Sequence, residues 1–170
     1  MFHNHPKIEV SPSDLDKRAI KWGWGIIVLN FLVVLWFYFD LPDKIPLHFN
    51  IEGEVNGYGN KLELWILPAL NLIVYYIIAV FTFKIKPYKM NFPTKVTEKS
   101  APILYRMALT TMAWTGVITA LLLFLVSIEV ILRASQIDSF SLFYPINALV
   151  LLLLFGSFYI IYKMIKVPKS

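Results

Sequence analysis

The sequence contains no cysteine, which excludes disulfides, thiolate metal sites and a cysteine nucleophile. Charge is also scarce. Only 16% of the 170 residues are Asp, Glu, Lys or Arg, and just three are histidine. The charged residues that exist are basic in excess, with a net charge of +5. The lysines and arginines flank apolar runs and form neither a stripe nor a nucleic-acid module, so no nucleic-acid partner is expected. No nucleophile elbow, no metal-ligand motif and no carboxylate pair at a useful spacing is present, so no enzyme, metal or cofactor is expected. No repeat or low-complexity tract interrupts the chain.

What the sequence has in abundance is apolar length. Hydrophobic residues make up 58% and mean hydropathy is +0.63, against about 45–50% in ordinary globular domains. Four runs stand out: Ile20–Phe39, Leu62–Phe83, Met107–Leu132 and Phe140–Ile165. A helix rises about 1.5 Å per residue and a hydrocarbon core is about 30 Å thick, so each run can cross it. Trp22, Trp24, Trp36, Tyr38, Trp65, Tyr105, Tyr144, Tyr159 and Tyr162 fall near the ends of the runs, where amphipathic rings favour the headgroup level. The expectation is an all-α integral membrane fold: a bundle of four transmembrane helices spanning residues 20–165. It is bounded by tails at 1–19 and 166–170 and has a structured loop at 40–61 and a strap at 84–106.

Thirteen of the sixteen lysines and arginines lie in the two tails and the strap or, as Lys21 and Lys163, at the adjoining ends of the first and fourth runs. The positive-inside rule then predicts both termini in the cytoplasm, with the 40–61 loop and the Arg133–Ser141 turn outside. The first run is too long for a signal-peptide core and lacks an A-x-A-like site after it, so it reads as an uncleaved signal-anchor. Pro87 and Pro93 break helix in the strap. Thr97 or Ser100 is suited to cap the third helix, with Pro102 in its first turn. The strap's charge is suited to anionic headgroups.

The outer loop, "LPDKIPLHFNIEGEVNGYGNK", is the one long stretch of mixed chemistry. Ile45, Leu47 and Phe49 alternate with His48 and Asn50, a short strand signal. Gly53 is suited to a turn with positive φ, and Asn56-Gly57 is a tight-turn pair. A small hairpin or compact lid over the helix ends is expected. Its residues are similar to the signature of the domain of unknown function 1648 family: a proline, then P-x-H-F-N, a glycine three residues on, an N-G turn and a lysine. The matching positions are Pro42, Pro46, His48, Phe49, Asn50, Gly53, Asn56, Gly57 and Lys61. The strap "NFPTKVTEKSAPILYR" also resembles that family. The resemblance implies a multi-spanning bacterial protein of the inner, plasma membrane. The best-known members are SdpI-like immunity proteins, which protect a cell from a secreted toxin peptide. The second module of those proteins, with its G-x-R-x-P-W-T-like motif, has no counterpart here.

Candidate binding residues follow from burial in lipid. His48 either titrates or binds a ligand in the exterior, or donates a hydrogen bond that fixes the hairpin. Asn50 and Glu52 lie beside it, without the spacing of a calcium loop. Apart from Glu63 at the head of the second run, Glu129 is the one acid inside an apolar run, and Arg133 at i+4 offers it a local partner. Asn71 and Asn147 lie about 10 and 9 Å from the outer helix ends, and Asn30 near mid-bilayer. Either the outer groups line a polar pocket lidded by the loop, or they are hydrogen-bond glue between helices. Pro68 and Pro145 fit first turns, and the Thr111–Thr115–Thr119 row, with Met112, Gly116 and Ala120 alongside, fits close helix packing. Partners expected are the lipid bilayer and a secreted peptide or membrane-active agent. The function expected is non-enzymatic binding, sensing or immunity. The alternatives are an accessory or transporter subunit and, last, a hydrolase built on His48 with Glu52 or Glu54. The sequence leaves oligomeric state open.

Overall fold

The computed structural model describes residues 5–50, 52–137 and 141–169. Phe140, at the head of the fourth apolar run, and the turn residues 138–140 lie outside them. So does Ile51 of the loop. The order is α1 (Asp14–Tyr38), β1 (Lys44–Phe49), β2 (Val55–Asn60), α2 (Ile66–Lys84), α3 (Ala101–Ala134) and α4 (Phe143–Ile165), with a 3-10 turn at Lys61–Trp65 leading into α2. These four helices are long and apolar enough to cross a membrane, the mark of a multi-pass membrane protein.

Local chemistry sets the helix ends. α1 starts six residues ahead of its apolar run because Ser13 and Asp16 cap it reciprocally. The Ser13 hydroxyl accepts from the Asp16 N–H at 3.1 Å, and the Asp16 carboxylate accepts from the Ser13 N–H at 2.8 Å. A cap of this kind contributes about 1 kcal/mol. The same carboxylate, 1% exposed, is reached by the Thr110 hydroxyl at 3.3 Å and by Arg106 at 4.0 Å. Asn60 and Glu63 cap the turn before α2 in the same reciprocal way. Ahead of α3 the two expected residues bond each other, the Thr97 hydroxyl accepting from the Ser100 N–H and the Ser100 hydroxyl from the Thr97 N–H, while the N-cap Ser100 makes no side-chain bond to the helix itself. Pro102, Pro68 and Pro145 all sit in first turns, where a missing N–H leaves no intrahelical bond unmade.

α3 is the centre. α1 and α2 pack on it and on each other, whereas α4 packs chiefly on α3. Two close approaches hold α1, α2 and α3 together. The Tyr75 ring is clamped between Gly23 and Gly116: a Cβ at Gly23 would collide with the ring, and one at Gly116 would lie 3.1 Å from it. Its hydroxyl donates to the Ile20 carbonyl at 2.7 Å. The small-residue row of α3 thus serves α2 through Gly116 and Ala120, while Thr111 and Thr115 face the gap toward α4. On α4 only Met164 is buried. Its run is apolar all round, and lipid tails are as apolar as leucine, so nothing drives this helix into the bundle.

The core falls into three clusters. One lies mid-bundle around Ile27, Tyr75 and Ala120. A second lies at the hairpin end around Val34, Leu64 and Val130. Between them, on successive turns of α1, α2 and α3, lies a layer of fully buried polar side chains: Asn30, Asn71 and Ser127. The third cluster closes the opposite end. There Ile8 and Val10 of the N-terminal tail, Met90, Phe92 and Val96 of the strap and Val167 of the C-terminal tail pack with the foot of α3. Tyr105 belongs to this cluster and is fully buried, donating to the Pro6 carbonyl at 2.8 Å. It is not the interfacial ring that its position in the sequence suggested.

A hairpin-lidded cleft between α3 and α4

The two strands pair antiparallel, with irregularities between Pro46 and His48 and between His48 and Phe49. The apolar alternation holds at its base, where Ile45 is fully buried, and His48 faces out. The expected turn at Asn56-Gly57 is not a turn. Both residues lie inside β2, and Gly57 pairs with His48. Gly57 is there for space: an added Cβ would lie 3.0 Å from the His48 Cβ and ring. The reversal occurs at 50–54 instead, and Asn50 builds it. Its side-chain oxygen accepts from the N–H groups of Glu52 and Glu54 at 3.0 and 2.8 Å, and its amide nitrogen donates to both carboxylates. An Asx-centred reversal of this kind outcompetes an N-G pair because one side chain satisfies two backbone donors. At the base, Lys61 reaches Asp43 and the Leu41 carbonyl, each at 3.2 Å, and lies over the Tyr38 ring.

Gly53 joins this hairpin to the helices. Its φ is +85°, and a Cβ there would lie 2.7 Å from the Phe143 ring of α4. On its outer side an open cavity of about 500 Å³ is lined by Pro46, Glu52, Glu54, Tyr58, Arg133 and Gln136. On its inner side a cavity of about 180 Å³ is lined by Phe49, Val126, Glu129, Phe143, Ile146 and Asn147. The two share Gly53. The outer one has a charged lining and the inner one a mostly apolar lining.

Glu129 organises the inner wall. It is 6% exposed. One oxygen accepts from Arg133 Nε and from the Ser141 hydroxyl, both at 3.0 Å, and the other from the Leu142 N–H at 2.7 Å. The carboxylate therefore caps the start of α4 from α3, a favourable place for an anion, and pairs with Arg133 one turn on. Asn147 lines the same cavity and donates to the Phe143 carbonyl at 2.8 Å.

Asn71 does not join them. Its amide donates to the Ala120 carbonyl at 3.0 Å in the buried layer between α2 and α3, which is the geometry of interhelical glue. The His48 ring is exposed and, among the described residues, makes no hydrogen bond, so it does not fix the hairpin by one. Pro42 is exposed and Pro46 buried at the base of the hairpin. Arg133, Tyr58, Gln136 and Phe143 were not singled out as cleft residues in the sequence. Only the positive φ of Gln136, +58°, and the contact of Gly53 bring them together. Among the described residues no three His, Asp or Glu side chains converge on a metal position.

The comparisons bear on the hairpin side of this cleft. The family described as "Domain of unknown function (DUF1648)" matches residues 25–72. Residues 25–72 carry this domain. The DUF1648 segment comprises most of α1, the whole hairpin and the first turns of α2, so it supplies the lid while α3 and α4 supply the floor. An uncharacterized protein of Archaeoglobus fulgidus is 36% identical over 78 residues. That match covers 44% of this chain and 43% of the relative, less than half of either. No solved structure matches the chain.

Proposed function

We propose that this protein is a non-enzymatic binding module. In this reading the DUF1648 hairpin closes over an extracytoplasmic cleft that takes an amphipathic agent such as a secreted peptide or a lipid-like molecule. The observation that carries the reading is the cleft itself, in which Gly53 divides a charged mouth from an apolar interior. A molecule with a charged end and an oily one would pair with Arg133 or the Glu52 and Glu54 carboxylates and bury its apolar part beside Phe49 and Phe143. The orientation is N-in and C-in, from the concentration of basic residues at the opposite end, and the membrane is a bacterial plasma membrane. His48, exposed on the lid, is available to contact the agent, and a role in immunity or sensing follows from such capture.

The test challenges strains lacking the protein, or carrying Val126→Trp to fill the inner cavity, with secreted peptide toxins and membrane-active antibiotics. The reading expects both strains to become sensitive to the same agent, with Val126→Trp protein still present in the membrane. Unchanged sensitivity in both sinks it, as does a reporter fused after Asn60 that responds only in the cytoplasm. A second reading, a subunit of a larger membrane complex, is favoured by α4, on which only Met164 is buried. It expects a stable partner on mild-detergent purification that is lost when the outer face of α4 is altered.

A further inference from the structure

The end of the bundle opposite the hairpin carries a second cavity with different chemistry. α2 and α4 both pack against α3 and diverge from each other, leaving a groove of about 330 Å³. Phe81 of α2, Met112 of α3 and Met164 of α4 line its walls, and Met90, Asn91 and Phe92 of the strap close its foot. Its lining is mainly apolar. Along α3 the lining runs from Ala108 to Met112, about 6 Å. That is deep enough for a glycerol backbone and the first methylenes of a chain.

Three exposed lysines border the groove in sequence. Lys84 follows Phe81 by one turn at the end of α2, Lys89 precedes Met90, and Lys163 adjoins Met164. None of the three has a carboxylate partner among the described residues. Lys86 is different, because Glu9 holds it at 2.7 Å. The Lys163 ammonium rests over the Tyr159 ring, 5.5 Å from its centre and one turn back along α4. Exposed lysines next in the chain to the residues that line an apolar slot between membrane-spanning helices complement one kind of molecule that is always present.

We propose that this groove is a specific site for an anionic phospholipid, with one chain entering beside Phe81 and Met112 and the phosphate held by Lys84, Lys89 and Lys163. The site is independent of the hairpin cleft and of its ligand. It gives the folded strap a second purpose: Met90 and Phe92 anchor the strap in the third core cluster and shape the floor under the lipid. A lysine near an anionic headgroup contributes about 1 kcal/mol, or roughly fivefold in affinity.

The test uses the purified full chain in detergent with phosphatidylglycerol and phosphatidylcholine of identical acyl chains, counting retained lipids by native mass spectrometry. Wild type is expected to retain phosphatidylglycerol in preference. Lys84→Gln/Lys89→Gln/Lys163→Gln, all at exposed positions, is expected to lower that preference by about fivefold per lysine. Arg18→Gln/Lys21→Gln on α1, away from the groove, should leave it in place. Thr111→Trp, at a position that lines this slot as well as the gap between α3 and α4, should lower retention of both lipids. Equal retention of the two lipids by wild type overturns the proposal, and so does an equal effect of the α1 pair, which would mean a diffuse field. Displacement of phosphatidylglycerol by soluble glycerol phosphate at the same concentration also overturns it, since the chain would then play no part. An unchanged Thr111→Trp does the same.

Discussion

Replacing Gly53 by alanine tests whether the hairpin is fastened to α4 as a lid. Two separable costs arise. A non-glycine residue in the left-handed region costs roughly 1–2 kcal/mol, and the φ of Gly53 is +85°. The new methyl would also lie 2.7 Å from the Phe143 ring, and forcing an extra methyl into a packed contact costs about 1–3 kcal/mol. The expected loss is therefore about 2–5 kcal/mol, read as a shift in the unfolding midpoint in mixed detergent micelles. A double-mutant cycle with Phe143→Ala divides the two. Removing the ring should recover the contact share, about 1–3 kcal/mol, and leave the backbone share. Should Gly53→Ala unfold within about 0.5 kcal/mol of wild type, or should Phe143→Ala fail to rescue any of the loss, the hairpin is not seated on α4 and the cleft has no lid.

Glu129→Ala removes one acceptor from Arg133 and the carboxylate that accepts from the Leu142 N–H, and is expected to cost about 1–3 kcal/mol in the same unfolding measurement, with Glu129→Gln clearly milder; equal effects would deny the carboxylate its capping role. Gly23→Ala is expected to destabilise strongly and to be partly rescued by Tyr75→Leu, whereas Tyr75→Phe, which loses only the bond to Ile20, should cost about 1 kcal/mol. Asn30 is fully buried with neither amide atom hydrogen-bonded among the described residues, so Asn30→Leu should be neutral or stabilising by about 1–2 kcal/mol; a loss of more than about 1 kcal/mol would show the amide engaged. Hydrogen bonding and charge from Lys86 hold the Glu9 carboxyl below its ordinary value of 4.5 and in return raise Lys86 above 10.5. The tie between tail and strap is then complete between those two values. It is lost as pH falls through the lowered Glu9 value or rises through the raised Lys86 value. A spin label at Lys7 should be equally ordered at pH 6 and 8 and gain mobility as the pH falls through the lowered Glu9 value; constant mobility would refute the tie.

By itself the sequence determined the solvent and the count. Four apolar runs of sufficient length admit one answer, because a chain in hydrocarbon must satisfy its backbone within each segment. It also determined that the loop after α1 is structured, that Gly53 needs positive φ, and that Glu129 has Arg133 beside it, since each of these is local. The tertiary structure decided everything that depends on which faces meet. Asn56-Gly57 reads as a turn until Asn50 captures two N–H groups from across the reversal. Tyr105 reads as an interfacial ring until the N-terminal tail folds over it. Asn71 and Glu129 both read as polar groups of the outer half, yet Asn71 bonds α3 from the α2 side while Glu129 meets the start of α4, and position along a helix says nothing about azimuth when all its faces are apolar. For the same reason α4 gave no sign in its sequence of standing aside from the bundle. Hydrophobic periodicity reports which face is buried only when the other face meets water, and here lipid removes that contrast.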